Sequence, residues 1–345
     1  MRAVVNKARP MLSVLLPVYN AQETVERAIQ SILRQTFREF ELLVINDGSQ
    51  DGSLEIVKRF CDPRIRVIDL QQNGGLVAAL NLGVEIARGD LIARQDADDE
   101  SMPTRLELQC ATLSRDPSLV AVGAALQIMR NGSPSGDVWR YPVSAVGARW
   151  QSLFKTPVAH SAVVYRRRSV VGVGGYSDDY RYAEDYELWS RLLEIGNISS
   201  LREILVKYDV GLGGVSRAKA NEQRLVHCRI VRNNMRRLLN RDVENDVVEL
   251  LAFRVESGGG FERVSEYQRA VDGLACLYES FLAAERTRYG EAVAREVRAD
   301  MEERVCKLVR MLPYRKRLRG LNVILDAMPK KSISPRSMAC MLCLP

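Results

Sequence analysis

Three aspartates and a glutamate fall within five residues, Asp96, Asp98, Asp99 and Glu100, in the stretch GDLIARQDADDESMPTRLE. They follow directly on the apolar run Leu91, Ile92, Ala93. Carboxylates so close repel one another unless a cation sits among them. Mg²⁺ and Mn²⁺ prefer carboxylate and phosphate oxygens, and they bridge a diphosphate to a protein carboxylate. An Asp-x-Asp on a turn can point both carboxylates into one concavity. The competing account is a solvated acidic loop that caps the following helix. Spacing alone does not choose between them, and Asp99 and Glu100 are expected as caps even where Asp96 and Asp98 bind a ligand.

Other candidates are weaker alone. Asp47, in NDGS, closes an apolar run; it can accept hydrogen bonds from a base or ribose, or serve as a turn residue. Gly74 and Gly75 open a helix whose first N–H groups can face a base or phosphate, or they answer the steric need of a tight turn. Glu184 and Asp185 begin a helix, where a carboxylate is a cap or, if ionised, a general base for an attacking hydroxyl. His160 and His227 are the two histidines. His160 offers a metal or phosphate ligand against the commoner structural role, and His227 is expected to be structural. Neither GxGxxG after the first strand nor GxxxxGK[ST] occurs, which disfavours a dinucleotide dehydrogenase and a P-loop NTPase.

The elements that must position these residues alternate between two periodicities. MLSVLLP, FELLVIND, IRVIDL and LIARQDADD are short apolar runs of the kind that form strands buried on both faces. Between them AQETVERAIQSILRQ, SQDGSLEIVKRF (with Ser49 or Asp51 as N-cap) and NGGLVAALNLGVEIA have helical periodicity. Strand–helix alternation means βαβ units and a parallel sheet, whose ligands bind beyond the carboxyl ends of the strands. PVYN, NDGS, QQNGG and DADD all gather at that edge. A helix from Pro103 to about Arg115, a strand LVAVGAALQIM, a loop or short hairpin over 131–150 with two isolated tryptophans, a strand HSAVVYRR, a helix EDYELWSRLLEIG and a strand ISSLREILVKYDV follow. From about Ser216 the pattern is helical. Two domains are expected, 11–215 and 216–345, the second ending in a basic tail.

The chain has 345 residues, 46% of them hydrophobic, so it can bury a substantial core. A net charge of +7 suggests an anionic partner. Seven cysteines at irregular spacing fit reduced thiols better than a disulfide framework. Cys340 and Cys343 are a candidate acylation pair, although an unmodified pair is the commoner case. No signal peptide and no run of about 18 apolar residues is visible, so a soluble or peripheral protein is expected.

Taken together, PVYN, NDGS, NGG, DADD with PTRLE, HSAVVYRR, GGY and AEDYELWSRL resemble the family 2 glycosyltransferases over Leu12 to Ser216. The resemblance implies a GT-A type fold, mostly parallel sheet flanked by helices, followed by a helical C-terminal region. It implies inverting transfer of a sugar from a nucleotide diphosphate donor, usually UDP-linked, to a saccharide or lipid-linked saccharide hydroxyl in cell-surface polysaccharide or glycolipid assembly. Carried onto these positions, Pro17, Val18 and Tyr19 line the base and ribose pocket, Asp47 contacts base or ribose, and Gly75 and Leu76 approach the base. Asp96 holds ribose or metal, Asp98 coordinates Mn²⁺ or Mg²⁺, and Asp185 deprotonates the acceptor.

The sequence departs from the family at one place. Many relatives carry Tyr-Arg-x-His after the last strand, where this chain has Tyr208, Asp209, Val210 and Gly211. Arg217, His160 and Arg181 are the candidate substitutes. The cluster Arg315, Lys316, Arg317 and Arg319 suits peripheral contact with an anionic membrane, or else a solvated basic face. A cytoplasmic location, at or near the inner membrane face, is expected, with no nucleic acid partner. The alternatives are a nucleotidyltransferase and a non-catalytic or weakened nucleotide-sugar-binding protein.

Overall fold

The computed structural model describes residues 11–130, 132–210, 219–254 and 264–311. Within it the apolar runs become the strands β1 (Leu12–Val18), β2 (Phe40–Asp47), β3 (Ile65–Leu70) and β4 (Leu91–Arg94). The periodic segments become α1 (Val25–Leu33), α2 (Ser53–Lys58) and α3 (Leu76–Ile86). β3, β2, β1 and β4 lie side by side and are all parallel. Beyond β4 the sheet is mixed. β8 (Val164–Arg166) runs antiparallel to β4 and to β6 (Leu119–Arg130). β9 (Asn197–Asp209) is parallel to β6, and β7 (Ser133–Trp139) forms a hairpin with β6.

The two faces of β1 and β2 show why their sequence lacks polar alternation. Leu12, Val14, Leu16, Leu42 and Val44 pack under α1 and under α4 (Arg105–Arg115). Leu15, Leu43 and Ile45 point the other way, toward α3 and α7 (Glu184–Ile195). Each strand is therefore buried on both sides, the requirement of a three-layer α/β sandwich.

Several local expectations shift. The fourth strand stops at Arg94, so DADD is a turn rather than strand. α4 begins at Arg105 behind Thr104, two residues after Pro103, and has no side-chain cap. The second strand of that region, β5 (Glu100–Ser101), pairs with Lys207 and Val206 of β9. HSAVVYRR opens as a 3-10 turn over His160–Ala162 before β8. The 131–150 segment holds β7 and the start of α5 (Ala145–Gln151).

The chain divides into two compact units, Met1–Ala148 with Thr156–Gln223, and Arg149–Lys155 with Arg224–Pro345. The expected boundary near 215 lies outside the described residues. The second unit is helical: Ala220–Leu239 runs into it, and Val264–Tyr289 and Ala292–Arg310 belong to it. Its core centres on Trp150, which is ringed by Phe154, Tyr278 and Phe281 at centroid distances of 5.1, 6.0 and 5.2 Å. The Trp150 indole donates to Asp300 at 2.6 Å, and His227 Nε2 meets the Phe154 carbonyl at 3.0 Å, as a structural histidine would. Among the described residues, Cys61, Cys110, Cys228, Cys276 and Cys306 are not joined in disulfides. Cys340, Cys343 and the basic cluster 315–319 lie outside the described residues. No described helix is long and apolar enough to cross a membrane.

Candidate active site

At the carboxyl edge of β1 and β2, two loops are laced together. Asn20 N donates to Ser49 Oγ at 3.1 Å, Gln50 N to Asn20 Oδ1 at 2.8 Å, and Gln22 N to Asp51 Oδ2 at 3.1 Å. Thus Ser49 and Asp51 tie the loops; α2 is preceded by Gly52 and has no side-chain cap. Beside them Val18 is buried, Pro17 half-buried, and Tyr19 and Leu76 are 49% and 42% exposed. Two large apolar side chains left open at a strand edge offer a surface for a flat ring.

Asp47 is buried, and its carboxylate accepts the Gly74 N–H at 2.8 Å and the Gly75 N–H at 2.9 Å. The Gly74 and Gly75 amides therefore face Asp47. Asp47 braces the turn that leads into α3. Gly75 sits at φ +87°, and Gly48 at φ +68°, where an added Cβ would lie 2.7 Å from Asn73 N. Only glycine takes such a backbone without strain and lets the two loops approach.

The DADD turn brings one carboxylate oxygen from each of Asp96, Asp98 and Asp99 within 4.8 Å of the others. The cost shows in their protonation. Asp98 is pushed up to about 6, by loss of solvent first and then by Asp96. Asp99, fully buried, rises well above the usual carboxylate range through burial and then Asp96 and Asp98. Three hard oxygen donors crowded together, two of them resisting ionisation, fit a divalent cation such as Mg²⁺ or Mn²⁺. The capping expectation for Asp99 and Glu100 fails. Asp99 Oδ1 accepts from Asp209 N at 3.0 Å, and Glu100 pairs with Lys207 at 3.3 Å.

Beneath the turn lies a polar scaffold. Arg105 is fully buried and donates to Gln109, Gln95, Ser101 and the Arg94 carbonyl at 2.7 to 3.1 Å. Gln95 in turn donates to the Asp99 carbonyl at 2.8 Å. Arg94, 1% exposed, reaches Asp96 Oδ1 at 2.7 Å. Its field also acts on Glu184 and Asp185 at the start of α7, as it does on the acidic turn.

Asp185, half-buried, is pushed up to about 7 by desolvation and then by Glu184, while N–H groups of the helix start pull it down. Such a carboxyl is partly ionised at neutral pH and suited to accept a proton. His160 is not brought into the carboxylate group, which corrects its assignment as a metal ligand. Its Nε2 meets the Tyr176 hydroxyl at 3.0 Å, and burial and Arg94 hold its pKa well below the usual value.

Of the proposed substitute cations, Arg181 is exposed and paired with Asp178, and Arg217 lies outside the described residues. Beside Arg94, a second arginine meets the turn, Arg27 of α1, which sequence spacing did not single out. Its guanidinium donates to the Asp98 carbonyl at 2.9 Å and to Asp209 Oδ2 at 2.6 Å. Asp209, the departure from the family pattern, thus staples the end of β9 to α1 and the acidic turn.

A sheet whose four parallel strands continue into a mixed half, with an acidic turn after the fourth strand, has the architecture of the GT-A type glycosyltransferases. The family profile described as Glycosyl transferase family 2 matches residues 13–172. An uncharacterized glycosyltransferase of Haemophilus influenzae is 32% identical over 247 residues, 67% of this chain and 75% of its own. The amylovoran biosynthesis glycosyltransferase AmsE of Erwinia amylovora is 32% identical over 216 residues, covering 61% of this chain and 80% of its own. This chain belongs to glycosyl transferase family 2. The fold is shared with S. aureus TarS bound to UDP-GlcNAc, at a TM-score of 0.58 and 17% identity over 88% of this chain and 91% of that one. It is shared also with the Pyrobaculum calidifontis mannosyltransferase PcManGT in complex with GDP-Man and Mn²⁺, at a TM-score of 0.53 and 16% identity over 90% and 88%.

Proposed function

We propose that this glycosyltransferase moves a sugar from a UDP-linked donor to a saccharide or lipid-linked saccharide hydroxyl, with inversion, in cell-surface polysaccharide or glycolipid assembly. The observation that carries the donor side is the group of Asp96, Asp98 and Asp99 within 4.8 Å at the carboxyl edge of the sheet. Asp98 with Asp96 would hold Mn²⁺ or Mg²⁺. Bound there, the cation supplies charge neutralisation for a departing diphosphate. Pro17, Val18, Tyr19 and Leu76 form the base and ribose wall. Asp47 shapes that wall by holding the Gly74–Gly75 turn. AmsE, named for amylovoran biosynthesis, and the UDP and UDP-GlcNAc complexes of TarS support the choice of pathway and donor.

Asp185 is the base in this reading. The acceptor oxygen bonds to the anomeric carbon from the face opposite the diphosphate, whose glycosidic C–O bond breaks as the new one forms. The acceptor proton passes to Asp185, and the nucleoside diphosphate leaves with the electron pair. Residues 11–215 would form the catalytic domain, and 216–345 a separate helical region whose basic tail meets an anionic membrane.

A thermal-shift panel of UDP-, GDP- and TDP-sugars with and without Mn²⁺ tests the donor. A UDP-sugar should raise Tm only with the metal; a rise with none of them would overturn the assignment. Asp185→Asn should lower transfer by about 10²- to 10⁴-fold, the usual scale of general-base loss, and leave the donor-induced Tm rise intact.

A further inference from the structure

Of the three tryptophans, Trp150 and Trp189 are 1% and 0% exposed, whereas Trp139 is 46% exposed. It ends β7, whose other residues include Ser133, Ser135 and Asp137, all exposed or half-buried and polar. An open indole on a polar edge strand is unusual enough to ask what covers it. The strand register shows what lies behind it. Trp139 faces Leu126 across the hairpin, and Tyr208 faces Ile128 across the other edge of β6. Leu126 and Ile128 are two apart and share a face of the strand. The Trp139 and Tyr208 rings accordingly meet, with centroids 5.6 Å apart and planes inclined at 36°.

From Tyr208 the row leads to the acidic turn, because the neighbouring Asp209 N–H donates to Asp99 Oδ1 at 3.0 Å and Lys207 pairs with Glu100. Tyr141, two residues after Trp139, packs with Tyr208 on one apolar cluster. Burial and then Asp185 push the Tyr141 hydroxyl up, in keeping with a base on that side. In the sheet order β3-β2-β1-β4-β8-β6-β9, with β7 beside β6, these rings stand on β7 and β9 or just after β7, across β4 from the Tyr19, Asp47 and Leu76 edge.

We propose that Trp139, backed by Tyr208, is the stacking platform for the pyranose ring of the acceptor, turning its nucleophilic hydroxyl toward Asp185. This rests on the transferase reading above and adds the acceptor side to it. A pyranose presents a face of slightly positive C–H groups, which suits the electron-rich face of an indole, and a rim of hydroxyls that needs polar neighbours. The polar residues of the same strand, Ser133, Ser135 and Asp137, match that rim.

The buried positions of Trp150 and Trp189 make Trp139 the tryptophan that acrylamide reaches. The full chain, with UDP and Mn²⁺ present, would be titrated with methyl glycosides of glucose, galactose, mannose and N-acetylglucosamine, in both anomers. The expected result is a blue-shifted emission and at least about twofold protection from acrylamide with one or more of them. With the glycoside that protects best, Trp139→Ala should raise the KM for glycoside-stimulated UDP release about tenfold, and Trp139→Phe much less. A UDP-induced Tm rise in both variants shows that they fold. If no glycoside alters Trp139 while UDP still raises Tm, the platform is wrong and the donor site stands. If UDP alone shifts the emission, Trp139 belongs to the donor side and the proposal fails. A glycoside response with no nucleotide response keeps the platform and overturns the donor reading.

Discussion

Asp98, Asp99 and Asp185 are each held at a protonation state that a ligand or a proton transfer would change. For Asp185, with its pKa near 7, the ionised fraction rises about tenfold per pH unit below that value and then levels. The kcat/KM of transfer should follow the same course between pH 5.5 and 8.5, and a flat profile would remove Asp185 from the base role. Asp98 illustrates the opposite sign for stability. With a folded pKa raised to about 6, it keeps a proton between about pH 4 and 6 that the unfolded chain has released. The folded state binds more protons in that window, so this group's contribution to stability falls as pH rises. A cation that displaces the proton reverses the loss, and the Mn²⁺-induced Tm rise should grow from pH 5 to pH 7. Asp98→Asn should abolish most of that rise, and retention of a full Mn²⁺ response would shift the metal to other ligands.

At the level of elements, the DADD turn is shaped less by its own residues than by α4 and β9. Arg105 spans Arg94, Gln95, Ser101 and Gln109 from beneath, all within the buried core. The interval PTRLE after DADD was visible in the sequence as part of a family resemblance, but its physical reason is this fork of donors. Replacing Arg105 by Met leaves the Arg94 carbonyl and the Gln95 and Ser101 side chains short of a buried partner. The loss should be about 3 kcal/mol in urea unfolding, with a smaller Mn²⁺ response because the turn loosens. A change within about 0.5 kcal/mol would show that water replaces the guanidinium. The strand and helix positions around the turn were legible, since apolar runs and 3.6-residue stripes are local signals. The start of α4 at Arg105 instead of Pro103, and the loss of Asp99 and Glu100 as caps, were not, because β5 pairs with a strand a hundred residues away.

Over the whole molecule, the net charge of +7 and the basic cluster at Arg315, Lys316, Arg317 and Arg319 concern association more than fold. If this chain works at an anionic membrane, the full-length protein should bind vesicles containing phosphatidylserine at low salt and release them as salt rises. Changing the four cluster residues to Gln should weaken binding by about 1 kcal/mol for each residue that reaches the surface. Equal binding by the changed protein would assign the tail to a solvated face.

The sequence by itself determined the order of the first four strands and the three helices between them, the helical character of the second unit, and the gathering of PVYN, NDGS, NGG and DADD at one sheet edge. These follow from periodicity and chain order, which neighbouring residues carry. Tertiary structure decided what each acid touches. Asp47 turns inward to amides 27 and 28 residues on, Asp99 accepts from a backbone 110 residues away, and Arg27 reaches Asp209 across 182. It also set Trp139 against Tyr208 through a strand that lies between them. Hydrogen bonds and ring contacts over such separations leave no periodic trace, so only the packed sheet could assign them.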